Sequence, residues 1–472
     1  MSNPELRPDI FGIETEYSAL ICFPDSVTQE IVGSCHSKDV SIDLYHEPEG
    51  RSSSKIKQEV LDSSLHEIGI IVGPNQGMLS NGGRLYRDPS GFEYCTPETT
   101  SAEEAVNRTF DGDEIMLKAL SNLRENGIIE NFQLNRRIVD HNRTSRGIHL
   151  NITTSLESEP ASKDVEMLAA LNVAKGAIFG SGGLLINKSG DSEYHHSPRL
   201  SITSHLASAS WEDRPLLRIP FKKDGDLRRV ETTSGDALNF AWPMRASLIA
   251  TNSLFRMLER GVSDLPILKS PVYAAHIVGK HGYEETIEVI REGEVSIVYP
   301  QELIQEICIR ALEYHNQVPI LSDEALQVLP EIIYVSELLS AEPDKADTVV
   351  ESIARKKAIN KLLEKHAEKG RNITLNSEEV CRRDYYWDKL AGGLAERLRK
   401  DKDIGWMGFK KDRSIAEDKK RTVTPPQDTR ARKRANLIEK GFGGLINDWG
   451  NMASIKDPNM YEDIHPLDNG VE

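Results

Sequence analysis

Residues 9–21 read Asp-Ile-Phe-Gly-Ile-Glu-Thr-Glu-Tyr-Ser-Ala-Leu-Ile. β-Branched and aromatic residues dominate the run, so it predicts a strand. Glu14 and Glu16 stand two apart, which in a strand turns both carboxylates to the same side. A shared carboxylate face is what a divalent metal ion needs.

Two later stretches repeat this pattern. Residues 83–96, GRLYRDPSGFEYCT, place alternating runs on either side of Asp88-Pro89-Ser90-Gly91, whose Pro and Gly favour a tight turn. The expected β-hairpin puts Arg84, Tyr86 and Asp88 on one face of its first strand and brings Glu93 across the turn towards Tyr86. Gly147-Ile-His-Leu-Asn-Ile-Thr153 alternates again, so His149 and Asn151 share a face opposite Ile148, Leu150 and Ile152. If the three strands line one concave sheet, their carboxylates and imidazole suit a hard divalent ion that holds nucleotide phosphates. Taken singly, each signal is weak. Glu-x-Glu on a strand is commonly a solvated face, and Asp-Pro-Ser-Gly is commonly only a turn.

Outward from these strands, residues 23–79 are polar and irregular and read as a long mobile insertion. Ser101 followed by Glu104 is a capping-box signature that opens a helix to about Glu125. Helical patterns follow at about 163–179, 244–260, 300–316, 322–340, 344–368 and 377–400. The chain therefore reads as α+β, with strands early and helices late. After about residue 405 the tail breaks at Thr424-Pro425-Pro426 and resumes a helix near Arg430 to Lys440.

Length and charge limit what such a chain does. With 472 residues it carries one large catalytic domain and an appendage, or two to three domains. A net charge of −16 repels nucleic acid and anionic membrane over most of the surface, which argues against either as the main partner. The exception is Phe409 to Lys440, where eleven Lys/Arg face five Asp/Glu, a local charge of +6. Such a segment is commonly solvated surface; its alternative is a cap over a nucleotide or a dock for an acidic partner. Arg430 and Arg432 would then make the contacts, since guanidinium pairs bidentately with phosphate or carboxylate.

Five scattered cysteines without a Cys-x-x-Cys pair fit a reducing compartment and imply no thiol catalyst. No run has the form of a signal peptide or of about 18 uninterrupted apolar residues, so a soluble cytoplasmic protein is expected. His195-His196 reads as a surface loop whose rings point opposite ways. Gly180-Ser-Gly-Gly183 lacks the phosphate-loop pattern and reads as a helix stop.

Four strings, in this order, resemble the hallmark motifs of the Pup ligase and Pup deamidase/depupylase family. They are Gly12-Ile-Glu-Thr-Glu-Tyr17, Asn81-Gly-Gly-Arg-Leu-Tyr-Arg-Asp88, Glu93-Tyr-Cys-Thr-Pro-Glu98 and Pro425-Pro-Gln-Asp-Thr-Arg-Ala431. The resemblance implies a glutamine-synthetase-like domain over residues 1–400, a curved antiparallel sheet backed by helices, and a small C-terminal domain over 401–472. It also implies ATP (or ADP) and Mg2+ on the sheet. Glu14, Glu16, Glu93 and His149 would hold metal, Tyr86 and Arg84 would lie at the nucleotide, and Asp88 would be the catalytic aspartate. The expected partner is a small disordered Pup-like protein and its conjugates, in a proteasome pathway.

Within the family two reactions differ. The ligase is understood to form a glutamyl phosphate that a lysine attacks. The deamidase/depupylase hydrolyses the amide or isopeptide bond with nucleotide as a cofactor. The five-residue step from Asp88 to Glu93 matches the depupylase, where the ligase pattern has one residue more, and the long 23–79 insertion points the same way; Asp448-Trp449 looks more like the ligase. Two departures are expected to matter. His149 is followed by Leu150 instead of the family's Glu-Asn, and an acidic, His-containing motif is absent where the chain reads Arg218-Ile-Pro-Phe-Lys-Lys. A small-molecule carboxylate-amine ligase and a catalytically silent binding module are the remaining alternatives.

Overall fold

The computed structural model describes residues 7–22, 69–71, 76–88, 91–127, 129–139, 146–156, 162–400, 421–440, 442–445, 451–454 and 461–465. The chain begins with strands β1 (Phe11–Cys22), β2 (Gly69–Ile71), β3 (Gln76–Leu79), β4 (Arg84–Asp88) and β5 (Gly91–Cys95), followed by helix α1 (Ala102–Glu125). Next come β6 (Asn131–Asn135), β7 (Ile148–Thr154), α2 (Lys163–Ala174), α3 (Gly176–Phe179), β8 (Gly183–Ile186) and β9 (Ser192–His195). The middle holds β10 (His205–Ser208), β11 (Pro215–Arg218), β12 (Lys222–Asp224), β13 (Leu227–Gly235), α4 (Ala241–Leu258), β14 (Ile267–Leu268), α5 (Pro271–His281), β15 (Ile287–Arg291) and β16 (Glu294–Val298). It closes with α6 (Pro300–Gln317), α7 (Asp323–Ala341), α8 (Glu351–Ala367), α9 (Glu378–Trp387), α10 (Leu394–Lys400), α11 (Arg430–Glu439), β17 (Phe442–Leu445), β18 (Asn451–Ser454) and β19 (Tyr461–Asp463).

The fold is α+β, and one eleven-stranded sheet organises it, in the order β10-β11-β13-β7-β1-β5-β4-β3-β2, with β12 on β13 and β6 on β1. Its pairings are antiparallel except β10 with β11. Twelve-residue β1 is the spine: its first half pairs with β7, its last half with β6, and its middle with β5 on the other edge. Alternation along β1 then sorts side chains between the two faces. Phe11 and Ile13 enter the large core with Ile148, Leu150 and Ile152 of β7, while Glu14 and Glu16 face away from it.

Helix α1 backs both halves of the sheet. Ala105, Val106 and Phe110 join the large core, and Ile115, Met116 and Leu120 join a second cluster with Tyr17, Leu85, Phe92 and Tyr94. Between the two clusters, a Cβ at Gly112 would stand 2.2 Å from the Tyr94 ring, so only glycine lets helix and sheet approach this closely. Ser101 caps α1, accepting from the Glu104 N–H at 3.3 Å. The Glu104 carboxylate instead pairs with Arg108, so the expected capping box is half formed.

The tail lies on the face opposite the α1 layer. Leu437 and Ile438 of α11 and Met452 of β18 pack on Met78 and Cys95, and Cys95 pairs in register with Glu14. Several sequence expectations change. Strands β2 and β3 fall inside the stretch read as irregular insertion; 23–68 lies outside the described residues. The helix read over 344–368 begins as a 3-10 turn, Pro343–Thr348, and that over 377–400 divides into α9 and α10. Strands of the main sheet continue to Gly235 and further strands recur at 267–298 and 442–463, so "strands early, helices late" does not hold. His196 is buried against Ser352 and Tyr283, not in a surface loop. Gly180 ends α3, as a helix stop should.

Candidate active site

The face of the sheet away from the large core gathers its polar side chains through register. Glu14 of β1 lies opposite His149 of β7 and Cys95 of β5; Glu16 lies opposite Glu93; and Asn151 lies opposite Glu231 of β13. Three of the expected metal ligands come together: one donor atom each of Glu14, Glu93 and His149 lies within 4.8 Å of the others. All three side chains are buried. Two carboxylates and an imidazole are a donor set that fits a divalent ion such as Mg2+ or Mn2+.

Glu16 is placed differently. Its Oε2 accepts the Gly147 N–H at 2.7 Å, so this carboxylate anchors the entry to β7 and stands outside the three-donor cluster. Tyr86 pairs in register with Glu93, and Asp88 with Gly91 at the end of the hairpin, as the alternation of residues 83–96 predicts. The side chains of Tyr86 and Asp88 lie outside the described part of the structure. Arg84 is paired with Cys95, one strand from Glu14.

Strand β13 adds residues that reading the sequence missed. Arg229 donates to Glu14 Oε1 at 3.0 Å and to Asn151 Oδ1 at 2.7 Å. Glu231 Oε1 lies 3.4 Å from His149 Nδ1, and Arg218 of β11 pairs with Glu231 at 3.0 Å. The signal was present as alternation: Arg229, Glu231 and Thr233 interleave with buried Val230 and Thr232. Arg218, which stands where an acidic motif was expected, thus supports a carboxylate from the next strand. Leu150 faces the core, so residue 150 has no access to this cluster and Asn151 occupies the site face.

Electrostatics follow from this crowding. Burial opposes ionisation of Glu14, but the neighbouring His149 and Arg229 outweigh it and hold the carboxyl well below its usual range. Burial likewise disfavours the imidazolium of His149, yet contact with Glu14 and the nearby Glu16, Glu231 and Glu93 push its pKa up to about 10. Cys95, beside Glu14 and Glu93, is driven well above the ordinary thiol value by burial and by their charge, which leaves it unreactive.

A second charged group closes one end of the cleft. Arg430 of α11 donates through Nε to Glu98 at 2.6 Å and through both terminal nitrogens to Asp224 at 2.7 and 2.8 Å. Arg434 pairs with Glu98 and donates to the Gly82 carbonyl at 3.0 Å. Thr429 caps α11 and donates to the Glu98 carbonyl at 2.7 Å. Gly82 has φ +79°, and its Cβ would stand 2.6 Å from the Ala431 carbonyl, so both its conformation and its contact require glycine. Arg430 was expected at a nucleotide with Arg432. Its fork is occupied by protein carboxylates, and the arginine that shares its site is Arg434, four residues on and on the same helical face. Arg432 is half-buried. One cleft is lined by Glu14, Thr96, Glu98, Asp224, Arg229 and Arg430, so the two charged groups border a common space.

With this geometry in view, the comparisons with known proteins are specific. The family model described as Pup-ligase protein matches residues 9–450. A Pup deamidase/depupylase of Mycolicibacterium smegmatis is 24% identical over 408 residues, 82% of this chain and 78% of that protein. A Pup–protein ligase of Sanguibacter keddieii is 21% identical over 380 residues, 77% of this chain and 79% of that protein. The crystal structure of the ligase PafA in complex with Pup gives a TM-score of 0.74 at 18% identity, covering 98% of this chain and 90% of that one. PafA in complex with ADP gives 0.67 at 17%, covering 94% and 96%. At these identities the structural likeness establishes a shared fold.

Proposed function

The chain belongs to the Pup-ligase protein family, and from that premise we propose that it is a nucleotide- and magnesium-dependent enzyme acting on the C-terminal Gln or Glu of a Pup-like protein modifier. The reading we favour is hydrolytic: release of ammonia from a Gln-ended tail, or cleavage of the isopeptide bond between the tail and a lysine. The observation that carries it is the hairpin of β4 and β5. Asp88 pairs with Gly91, so the loop is only two residues long and keeps Tyr86 opposite Glu93. One residue more, the ligase-type spacing, would lengthen that loop and shift this register. The chain is similar at equal identity, 24%, to a Pup deamidase/depupylase and to a Pup–protein ligase, so the choice of branch rests on this hairpin.

Glu14, Glu93 and His149 would hold the divalent ion, and Arg84 and Tyr86 would lie at the nucleotide. The ion would supply positive charge against nucleotide phosphates and the substrate carbonyl oxygen. Arg229 keeps Glu14 ionised and orients Asn151, while Glu231 and Glu14 hold the His149 ring between them. Asp88, at the strand end where the hairpin opens, would remove the proton from the attacking water or attack the side-chain carbonyl itself. Arg430 and Arg434 hold α11 over the cleft and take no part in bond making.

A ligase is the second reading, favoured by the fold shared with the PafA complexes. The two reactions separate by stoichiometry. Incubation with ATP, Mg2+ and a Gln-ended Pup, or a Glu-ended Pup plus an acceptor protein, should yield ammonia from the former with far less ADP than product. Asp88→Asn should abolish turnover, by about 10³-fold or more, while nucleotide binding survives. Conjugation at one ATP per bond, without hydrolysis of the Gln tail, would overturn the hydrolytic reading. Unchanged turnover in folded Asp88→Asn would overturn the role of Asp88.

A further inference from the structure

On the reverse of the sheet from the carboxylate cluster lies a second cavity, behind Leu150 of β7 and lined also by Asn172, Lys175, Asp236, Met244 and Ser247. Asn172 and Lys175 are three apart at the end of α2, which puts them on one side of the helix. They are 3% and 6% exposed. Among the described residues, neither the Nδ2 nor the Oδ1 of Asn172 has a hydrogen-bond partner. Lys175 Nζ donates to Thr251 Oγ1 at 2.9 Å. Burial lowers its pKa to about 7.

Asp236 is not its counter-ion. Its two oxygens accept the Ser181 and Arg199 backbone N–H groups, each at 2.9 Å, and face that turn. The Lys175 ammonium and the Asn172 amide are therefore the groups the cavity leaves to a ligand. An ammonium carries three N–H and an amide two, of which Thr251 takes one; the hydroxyls of Ser197, Ser234 and Ser247, which donate or accept, line the same space. A buried ammonium repels a metal cation. Each unpaired buried group also weighs against the fold unless something fills the space. That space has room for on the order of one or two water-sized bodies.

We propose that this cavity is a binding site for a small inorganic monoanion of chloride's size, held between Lys175 Nζ and the Asn172 amide. The anion neutralises the ammonium and fills the space between the end of α2, α4 and β7, whose opposite face carries His149 and Asn151. It thereby stabilises the layer on which the candidate active site is built, without touching that site.

The test uses the full-length protein with chloride replacing gluconate at fixed pH and ionic strength. The thermal midpoint should rise saturably by about 3 °C, and the response should vanish in Lys175→Met. Equal midpoints in the two salts, or the same chloride response in Lys175→Met, overturn the proposal. Wild-type crystals grown in bromide provide a readout that needs no variant. An anomalous peak within hydrogen-bond distance of Lys175 Nζ supports the site, and a cavity holding only water overturns it.

Discussion

Two clusters of buried charge border the same cleft, and they are balanced differently. At the tail, the carboxylates of Glu98 and Asp224 meet the guanidiniums of Arg430 and Arg434, two against two, with further bonds to backbone. On the sheet, four carboxylates, those of Glu14, Glu16, Glu93 and Glu231, gather around His149, with Arg218, Arg229, Lys222, Arg84 and Arg199 among the cations near them. The balanced cluster holds helix α11 in place. The acid-rich cluster brings donor atoms of Glu14, Glu93 and His149 together, where a cation would take the place of the imidazole proton. Buried charge supports structure where carboxylate and guanidinium pair directly, and supports binding where donor atoms converge on one point.

The largest effect should come from unbalancing the tail. Arg434→Met leaves Glu98 with half its compensation and the Gly82 carbonyl without its donor. It should cost about 3–5 kcal/mol, read as a lower thermal midpoint. Arg432→Ala, two residues away and half-buried, should change stability by about 0.5 kcal/mol or less. Equal midpoints for the two variants would erase the distinction drawn here.

Acid should dissolve the tail clamp in a defined window. Burial opposes ionisation of Glu98, but Arg434 and Arg430 prevail and lower its pKa to about 2, against an ordinary value of 4.5. A carboxyl depressed in the folded state contributes stability above its unfolded value and loses it as pH falls through the folded one. The advantage of wild type over Glu98→Gln should therefore be full above about pH 4.5, on the order of 3 kcal/mol, and fade towards pH 2. Chemical denaturation of both proteins across this range checks it; a pH-independent difference would remove Glu98 from the clamp.

A smaller effect on folding than that of Arg434→Met, with the sharpest effect on binding, belongs to Glu14→Gln. It keeps an oxygen acceptor at position 14 and leaves Arg229 its bond to Asn151, so the thermal midpoint should fall less than in Arg434→Met. Magnesium-dependent nucleotide affinity should fall by about 10–100-fold, measured by calorimetry over a range of magnesium concentrations. The same affinity in both proteins would show that the acid-rich cluster is not a metal site.

What could be read from the chain alone was local. Period-two alternation identifies β1, the β4–β5 hairpin and β7, and the turn at Asp88–Gly91 sets the pairing of Tyr86 with Glu93. Ser101 marks the start of α1, and 3.6-residue patterning finds most of the helices. The stretch from Gly183 to Gly235 was passed over because its strands are mostly three or four residues long and carry weak alternation. Arg229 and Glu231 lie on nine-residue β13, whose alternation was legible, but nothing local tied that strand to Glu14 and His149.

By itself the sequence determined which side chains share a face of each strand, and therefore which carboxylates and imidazole were available as a set. Only the tertiary structure decided which of them meet. Strand order placed β7 and β5 on either side of β1, bringing His149 and Glu93 to Glu14, while the Gly147 N–H took Glu16 aside. Arg430, an open-handed cation in the sequence, became a clamp because Glu98 and Asp224 reach it from more than 200 residues away. The physical reason is that spacing along a strand or helix is a property of a few neighbouring residues, whereas neutralisation of a buried charge depends on whichever distant chain segment folds against it.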